Sequence, residues 1–185
     1  MTVAAWVDDE PLHAGEIDAR LTTLRAQDRA HSLPDPHTRE GRQLRRWVAQ
    51  VAVVERLCEH TCDSFVLSED GFRCGSEHER GLGRADAAAL GSIVAAAWAN
   101  NGKVPQAANL VTADVALTEQ QTTQGERLAA TDDGSVAWSS EQLLLSARLE
   151  AFARWLARAT HERVRLEAGY EHPGDSTQPD NLHEH

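Results

Sequence analysis

The fold is decided by residues 46–57, which read Arg46-Trp47-Val48-Ala49-Gln50-Val51-Ala52-Val53-Val54-Glu55-Arg56-Leu57. Their apolar side chains recur at the spacing of one helix face, and the same stripe continues to Cys58 and Cys62. Thr38 is of a residue type that caps helices, so the pattern predicts a helix from Thr38 to about Thr61. We expect this helix to lie at the centre of the fold.

The segments on either side predict more helices and two short strands. Val3 to Val7 is a β-prone run that ends in the turn signal Asp8-Asp9-Glu10-Pro11. Periodic apolar patterns predict helices at 13–29, 85–100, 104–113, 118–130 and 139–161, the last of which carries Phe152 and Trp155. Val164 to Leu166 predicts one further strand. The predicted fold is therefore mainly α, a single-domain helical bundle over residues 1–168 with a tail at 169–185 that packs on the domain.

The composition limits the classes of partner. At 185 residues, with 41% apolar and 25% charged residues, the chain is typical of one globular domain. A net charge of −11 repels phosphate backbones and anionic membranes, so we expect neither nucleic acid nor membrane as a partner. One basic patch is interpreted as a solvated helix face or as ion-pair partners for the acidic excess: Arg39, Arg42, Arg45 and Arg46.

The N-terminal residues and the cysteine count bear on the location of the protein. The first ten residues lack the basic and apolar regions of a secretory signal, and no window approaches a membrane span. The odd cysteine count, three, is not that of a disulfide-stapled secreted protein. We therefore predict a cytoplasmic protein, and the oligomeric state is left open.

Three of these segments together resemble the helical chaperone module of the SurA and parvulin-type foldases. They are the opening strand with its turn at residues 8–11, the helix register Glu16-Ile17-Asp18-Ala19-Arg20-Leu21, and the long helix around residues 46–57. The similarity covers nearly all of residues 1–166. It implies that the closing helix returns to the N-terminal helices and that Val164 to Leu166 forms a two-stranded pairing with Val3 to Val7.

The resemblance has two limits. Nothing in the chain looks like the inserted parvulin catalytic domain, so prolyl isomerase activity is not implied. The ending, with His172-Pro173-Gly174-Asp175, is similar to that of a small group of actinobacterial proteins associated with biosynthetic neighbourhoods. Because one fold hosts many functions, the function has to be argued from a site.

The tail contains the residues best suited to a metal site. His183 and His185 are two residues apart, so their rings point to one side of an extended backbone. His172 and Asp175 lie across a Pro-Gly turn that brings them back toward the pair. Three imidazoles and a carboxylate, which is that of Asp175 or of Asp180, suit Zn²⁺, Fe²⁺ or Cu²⁺. A solvated, frayed terminus explains the same composition, and the sequence does not decide between the two.

The long helix offers a second set of candidate ligands on one side: Glu55, Cys58, Glu59 and Cys62. The two cysteines are either small core residues or thiolate ligands whose set His183 and His185 complete.

Glu55 interrupts a valine-rich stripe, so its carboxylate needs a special environment. Either an arginine such as Arg56 or Arg154 neutralises it, or it acts as a general base or metal ligand.

Two functions follow from these patterns. The leading hypothesis is a metal-dependent enzyme of bacterial specialised metabolism, in which the tail closes over a small-molecule substrate and Glu55 is catalytic. The alternative is a non-enzymatic chaperone-like module that binds a partner peptide or protein. The enzyme needs the three tail histidines to converge, whereas the module needs an apolar groove and no fixed tail.

Overall fold

The computed structural model describes residues 2–27, 30–67, 81–123 and 139–175. This part of the chain is mostly helical and contains one small antiparallel sheet. The chain divides into two compact units, one from residues 1–57 and 159–185 and one from residues 58–158. Among the helices described, none combines the length and apolar content that a membrane span requires.

The sheet belongs to the first unit and has the strand order β2-β1-β3. β1 (Val3–Val7) and β2 (Glu10–His13) form a hairpin whose loop residues, Asp8 and Asp9, have φ angles of 49° and 66°. Two positive φ angles are typical of the type I′ turn, which suits the twist of paired strands. β3 (Val164–Leu166) pairs antiparallel with the other edge of β1.

The sequence missed β2. It predicted a turn and an immediate helix at residues 8–13, and hence two paired strands instead of three. β2 is only four residues long and contains Pro11, which cannot donate a ladder hydrogen bond. The proline is tolerated because β2 lies at the edge of the sheet.

The helices follow the predicted order. They are α1 (Ala14–Arg25), α2 (Arg39–Leu67), α3 (Arg84–Ala89), α4 (Ser92–Asn100), α5 (Lys103–Val111) and α6 (Ser140–Arg163), with a 3₁₀ turn at Ala30–Ser32 and a helical segment at 119–123. Thr38 caps α2, because its Oγ1 accepts from the Gly41 N–H at 3.1 Å. Ser139 caps α6 in the same way through the Gln142 N–H, at 3.2 Å.

The helix predicted at residues 85–100 is two helices. Gly91 separates α3 from α4 and has a φ of 103°, a backbone conformation that residues with a side chain rarely adopt. The alanine-rich sequence on both sides conceals the break, because alanine favours a helix wherever it stands.

Each unit has its own buried side chains. In the first unit they come from the sheet, α1 and the first half of α2, and include Leu12, Ile17 and Val53. In the second unit Phe152 of α6 is fully buried, stacks on Trp155 at 5.6 Å between ring centroids, and meets the edge of Trp98 at 6.3 Å. Such aromatic pairs add to the apolar burial that stabilises the unit.

The two glycines that flank α4 allow a matched test of the break. Neither would bring a new Cβ within 4 Å of another residue, but Gly91 has a φ of 103° and Gly102 a φ of −63°. Gly91→Ala should lower the free energy of unfolding by about 1–3 kcal/mol through backbone strain alone. Gly102→Ala should leave it unchanged or raise it by about 0.5 kcal/mol. Urea denaturation measures both, and equal shifts would contradict the strained break.

Candidate functional site

Glu55 has a buried carboxylate that is paired with an arginine. Its side chain is 4% exposed, and Arg20 Nη1 of α1 lies 2.6 Å from Glu55 Oε2. A charged hydrogen bond of this length offsets the cost of burying the carboxylate. An arginine therefore neutralises Glu55, which is the first of the two alternatives stated for this residue. The catalytic role of Glu55 stays a prediction.

The arginine that pairs with Glu55 was not one of those expected. Arg56 instead lies 3.3 Å from Glu16 and 3.6 Å from Glu10, and Arg154 pairs with Glu150 one turn earlier in α6. The sequence pattern of α2 gives no information on which side chain of α1 faces it, so Arg20 was missed.

The pair can be tested by a double-mutant cycle. Arg20→Met should lower the free energy of unfolding by about 1–3 kcal/mol, because it leaves a buried carboxylate without its charged donor. Adding Glu55→Met should recover most of that loss.

The matched control for this cycle is Arg154→Met, since Arg154 and Glu150 are both more than 60% exposed. It should change the free energy of unfolding by about 0.5 kcal/mol or less. If Arg20→Met is as mild as Arg154→Met in urea denaturation, the pair does not offset the burial of Glu55.

The predicted metal ligands lie partly outside the described residues. His183 and His185 belong to residues 176–185, which lie outside the residues that the structure describes. His172 is exposed and Asp175 half-buried, and they form one turn, in which the Gly174 N–H donates to His172 Nδ1 at 3.0 Å and the Asp175 N–H to the His172 carbonyl at 2.9 Å. Within residues 2–175 as described, no three His, Cys, Asp or Glu side chains gather as a metal site.

The turn restricts what His172 can do as a ligand. An Nδ1 that accepts a hydrogen bond leaves the proton of the neutral ring on Nε2. Ligation through Nε2 would need that proton on Nδ1, which would remove the acceptor for Gly174. The metal site of His172, Asp175, His183 and His185 stays a prediction, and it would have to rearrange this turn.

Cys58 and Cys62 are fully buried in the second unit. Cys62 Sγ lies 3.5 Å from the Lys103 carbonyl oxygen. The pKa of the Cys62 thiol is raised above its usual value, mainly by burial. The charge of Lys103 lowers this pKa in part, and the charge of Asp63 raises it slightly. Since a metal needs the thiolate, this environment favours the core role of Cys62 over the ligand role. Glu59 is engaged by Asn101, whose Nδ2 donates to it at 2.8 Å.

Three polar side chains of α2, absent from the predicted sites, hold a segment of the C-terminal tail. Gln50 Nε2 donates to the Tyr170 carbonyl at 3.0 Å, and Arg46 Nε donates to the Gly169 carbonyl at 3.4 Å. The Arg45 guanidinium lies over the Tyr170 ring, 5.2 Å from its centroid. We call Arg45, Arg46 and Gln50 the α2 cradle.

The cradle is buried where it contacts the tail. Arg46 and Gln50 are each 6% exposed, and Tyr170 is 7% exposed. Buried polar groups require hydrogen-bond partners, and the tail carbonyls supply one each for Arg46 Nε and Gln50 Nε2. Arg45 is oriented by Asp18 of α1, with Nη2 at 2.9 Å and 3.2 Å from its two carboxylate oxygens. Arg45 of the basic patch thus forms an ion pair with Asp18, which agrees with one of the two interpretations of the patch. Arg46 is buried and does not lie on a solvated face.

The sheet leads the tail to the cradle. The Glu167 N–H donates to the Ala4 carbonyl at 3.0 Å, and Trp6 Nε1 donates to Glu167 Oε1 at 3.1 Å. Gly169 then turns the chain with a φ of 91°. The sequence signal that could have indicated this contact is the Gly169-Tyr170 pair in an otherwise polar tail, because Tyr170 is the single tyrosine of the chain.

Comparison with known proteins covers only the N-terminal part of the chain. Residues 3–40 match a family of unknown function, DUF7158. The matched range spans β1, β2, α1 and the first residues of α2, and it ends before the cradle. No curated protein and no solved structure matches the chain.

Proposed function

We propose that this protein is a non-enzymatic, chaperone-like helical module that binds segments of other polypeptides and has no isomerase activity. The observation that carries the proposal is the way the α2 cradle holds residues 169–170 of its own chain. Arg46 and Gln50 bond to main-chain carbonyls, which every polypeptide presents. These two contacts do not depend on the side chains of the bound segment, whereas the contact of Arg45 with the Tyr170 ring favours a segment that carries an aromatic residue.

The SurA-type resemblance supports the same function through the ends of the chain. It implied that the terminal strand returns to the opening strand, and β3 pairs with β1 in that way, with Ala5 opposite Leu166 and Val7 opposite Val164. A single-domain bundle and a relationship to this type of module are parts of the proposal.

The burial of Tyr170 differs from what was expected of a binding module. Such a module was expected to have no fixed tail, yet Tyr170 is buried against α2. The contacts account for this difference, because the cradle binds the tail as it would bind another polypeptide.

The metal-dependent enzyme is the rival proposal, with Zn²⁺, Fe²⁺ or Cu²⁺ as cofactor and a small-molecule substrate. Two contacts weigh against it. Arg20 engages the carboxylate of Glu55, and Gly174 engages Nδ1 of His172. Its remaining support is the sequence of His183 and His185.

We expect the full-length protein to bind unfolded polypeptide and to ignore the same polypeptide when it is folded. The probe is fluorescently labelled pancreatic ribonuclease, reduced and carboxamidomethylated so that it stays unfolded, and the readout is fluorescence anisotropy. Native ribonuclease is the matched control, because it carries nearly the same charge but its main chain is engaged in its own hydrogen bonds. The unfolded form should bind with at least about tenfold lower Kd, which is about 1.4 kcal/mol.

Equal affinity for the two forms, or no binding of either, contradicts the proposed function. Elemental analysis of the untagged protein completes the experiment. One equivalent of zinc, iron or copper that disappears in the His183→Ala/His185→Ala variant would favour the metal-dependent enzyme instead.

A further inference from the structure

We propose that the α2 cradle is a recognition site for segments that turn at a glycine followed by a tyrosine, and that residues 169–170 are its exchangeable resident occupant. This inference rests on the proposed function and assigns its site, the class of segment bound and its regulation. The tail then acts as a competitive ligand built into the chain.

The contacts define what the site recognises. Two hydrogen bonds reach consecutive carbonyls, those of Gly169 and Tyr170, and one guanidinium covers one ring. Tyr170 therefore supplies the side chain that the site distinguishes. The preceding position has a φ of 91°, which selects glycine there.

The anchorage of the resident segment is small. Glu167, Ala168, Gly169 and His172 are exposed, Glu171 is half-buried, and Tyr170 is the buried residue among positions 167–172. A segment that depends on one buried ring and a few hydrogen bonds opens locally far more often than the whole fold opens. Release of Tyr170 is thus the step that frees the cradle.

The polarity of the cradle agrees with exchange. A surface that is covered permanently is stable with apolar side chains, whereas a buried Arg46 or Gln50 is costly unless hydrogen-bond acceptors meet it, and the tail carbonyls are among them. When the tail leaves, these side chains regain water. When another segment arrives, its carbonyls replace those of Gly169 and Tyr170.

Covalent attachment gives the resident segment a strong advantage. A ligand tethered by a short chain competes at an effective concentration in the millimolar range. A peptide in solution therefore binds the native protein weakly, and any change that weakens the resident segment should raise the apparent affinity of the peptide.

The experiment uses the full-length protein and a fluorescein-labelled peptide with the sequence of residues 167–175, Glu-Ala-Gly-Tyr-Glu-His-Pro-Gly-Asp. Tyr170→Ala removes the resident anchor and should lower the peptide Kd at least about tenfold relative to the native protein. The same peptide with alanine in place of its tyrosine should not bind to the variant.

A second variant releases the segment without removing a side chain. Gly169→Ala adds a Cβ that meets nothing within 4 Å but is strained at a φ of 91°, so the peptide Kd should fall to an intermediate value. Gly15→Ala is its matched control, because Gly15 lies in α1 with equal space and no such φ. Its peptide Kd should equal that of the native protein.

A third variant tests the cradle itself. Adding Gln50→Ala to Tyr170→Ala removes the donor to the tyrosine carbonyl and should return the peptide Kd toward the native value. Circular dichroism checks that each variant is folded. If Tyr170→Ala is not folded, the peptide Kd of Gly169→Ala tests whether release of the resident segment frees the cradle.

The outcomes separate this inference from the proposed function. If the folded variants bind the peptide no better than the native protein, the tail is a permanent part of the fold and the site assignment is wrong. If unfolded ribonuclease still binds in that case, the proposed function stands with its site elsewhere. If neither the peptide nor unfolded ribonuclease binds, both proposals fail.

Discussion

The first unit depends on the partners that α2 requires for its buried polar side chains. Arg46, Gln50 and Glu55 lie within a valine-rich helix and are each 6% exposed or less. A buried polar group without a partner is strongly destabilising, so the fold has to supply an acceptor or a donor for each of them. Arg20 of α1 meets Glu55, and carbonyls of the tail meet the other two.

This requirement joins the two ends of the chain. The tail reaches α2 because β3 pairs with β1, and the pairing is reinforced by side chains on both sides of it. Arg163 Nε donates to Asp8 at 2.7 Å, Trp6 donates to Glu167, and Arg165 lies 5.1 Å from the centroid of the Trp6 ring. The hairpin and the last strand thus bring the tail to α2.

The sequence predicted elements whose signals are local. β1, β3 and the caps of α2 and α6 follow from short β-prone segments and from Thr38 and Ser139, and they appear where expected. β2 and the break at Gly91 were missed because edge position and backbone conformation leave little trace in composition. The cradle was missed because carbonyls more than a hundred residues away are the partners of Arg46 and Gln50. Of the predicted site residues, Glu55 is paired, while His183 and His185 lie outside the described residues.

The two proposed functions make opposite demands on the same tail. His172 follows the anchor Tyr170 by two residues, and its Nδ1 accepts from Gly174 to form the turn that ends the described chain. A metal bound through Nε2 would move the ring proton to Nδ1 and remove that hydrogen bond. Metal binding through Nε2 would thereby disturb the turn at residues 172–175, whereas peptide exchange needs only that Tyr170 leave its place. The existing contacts are satisfied by polypeptide, which is the physical reason to favour the binding module over the metal-dependent enzyme.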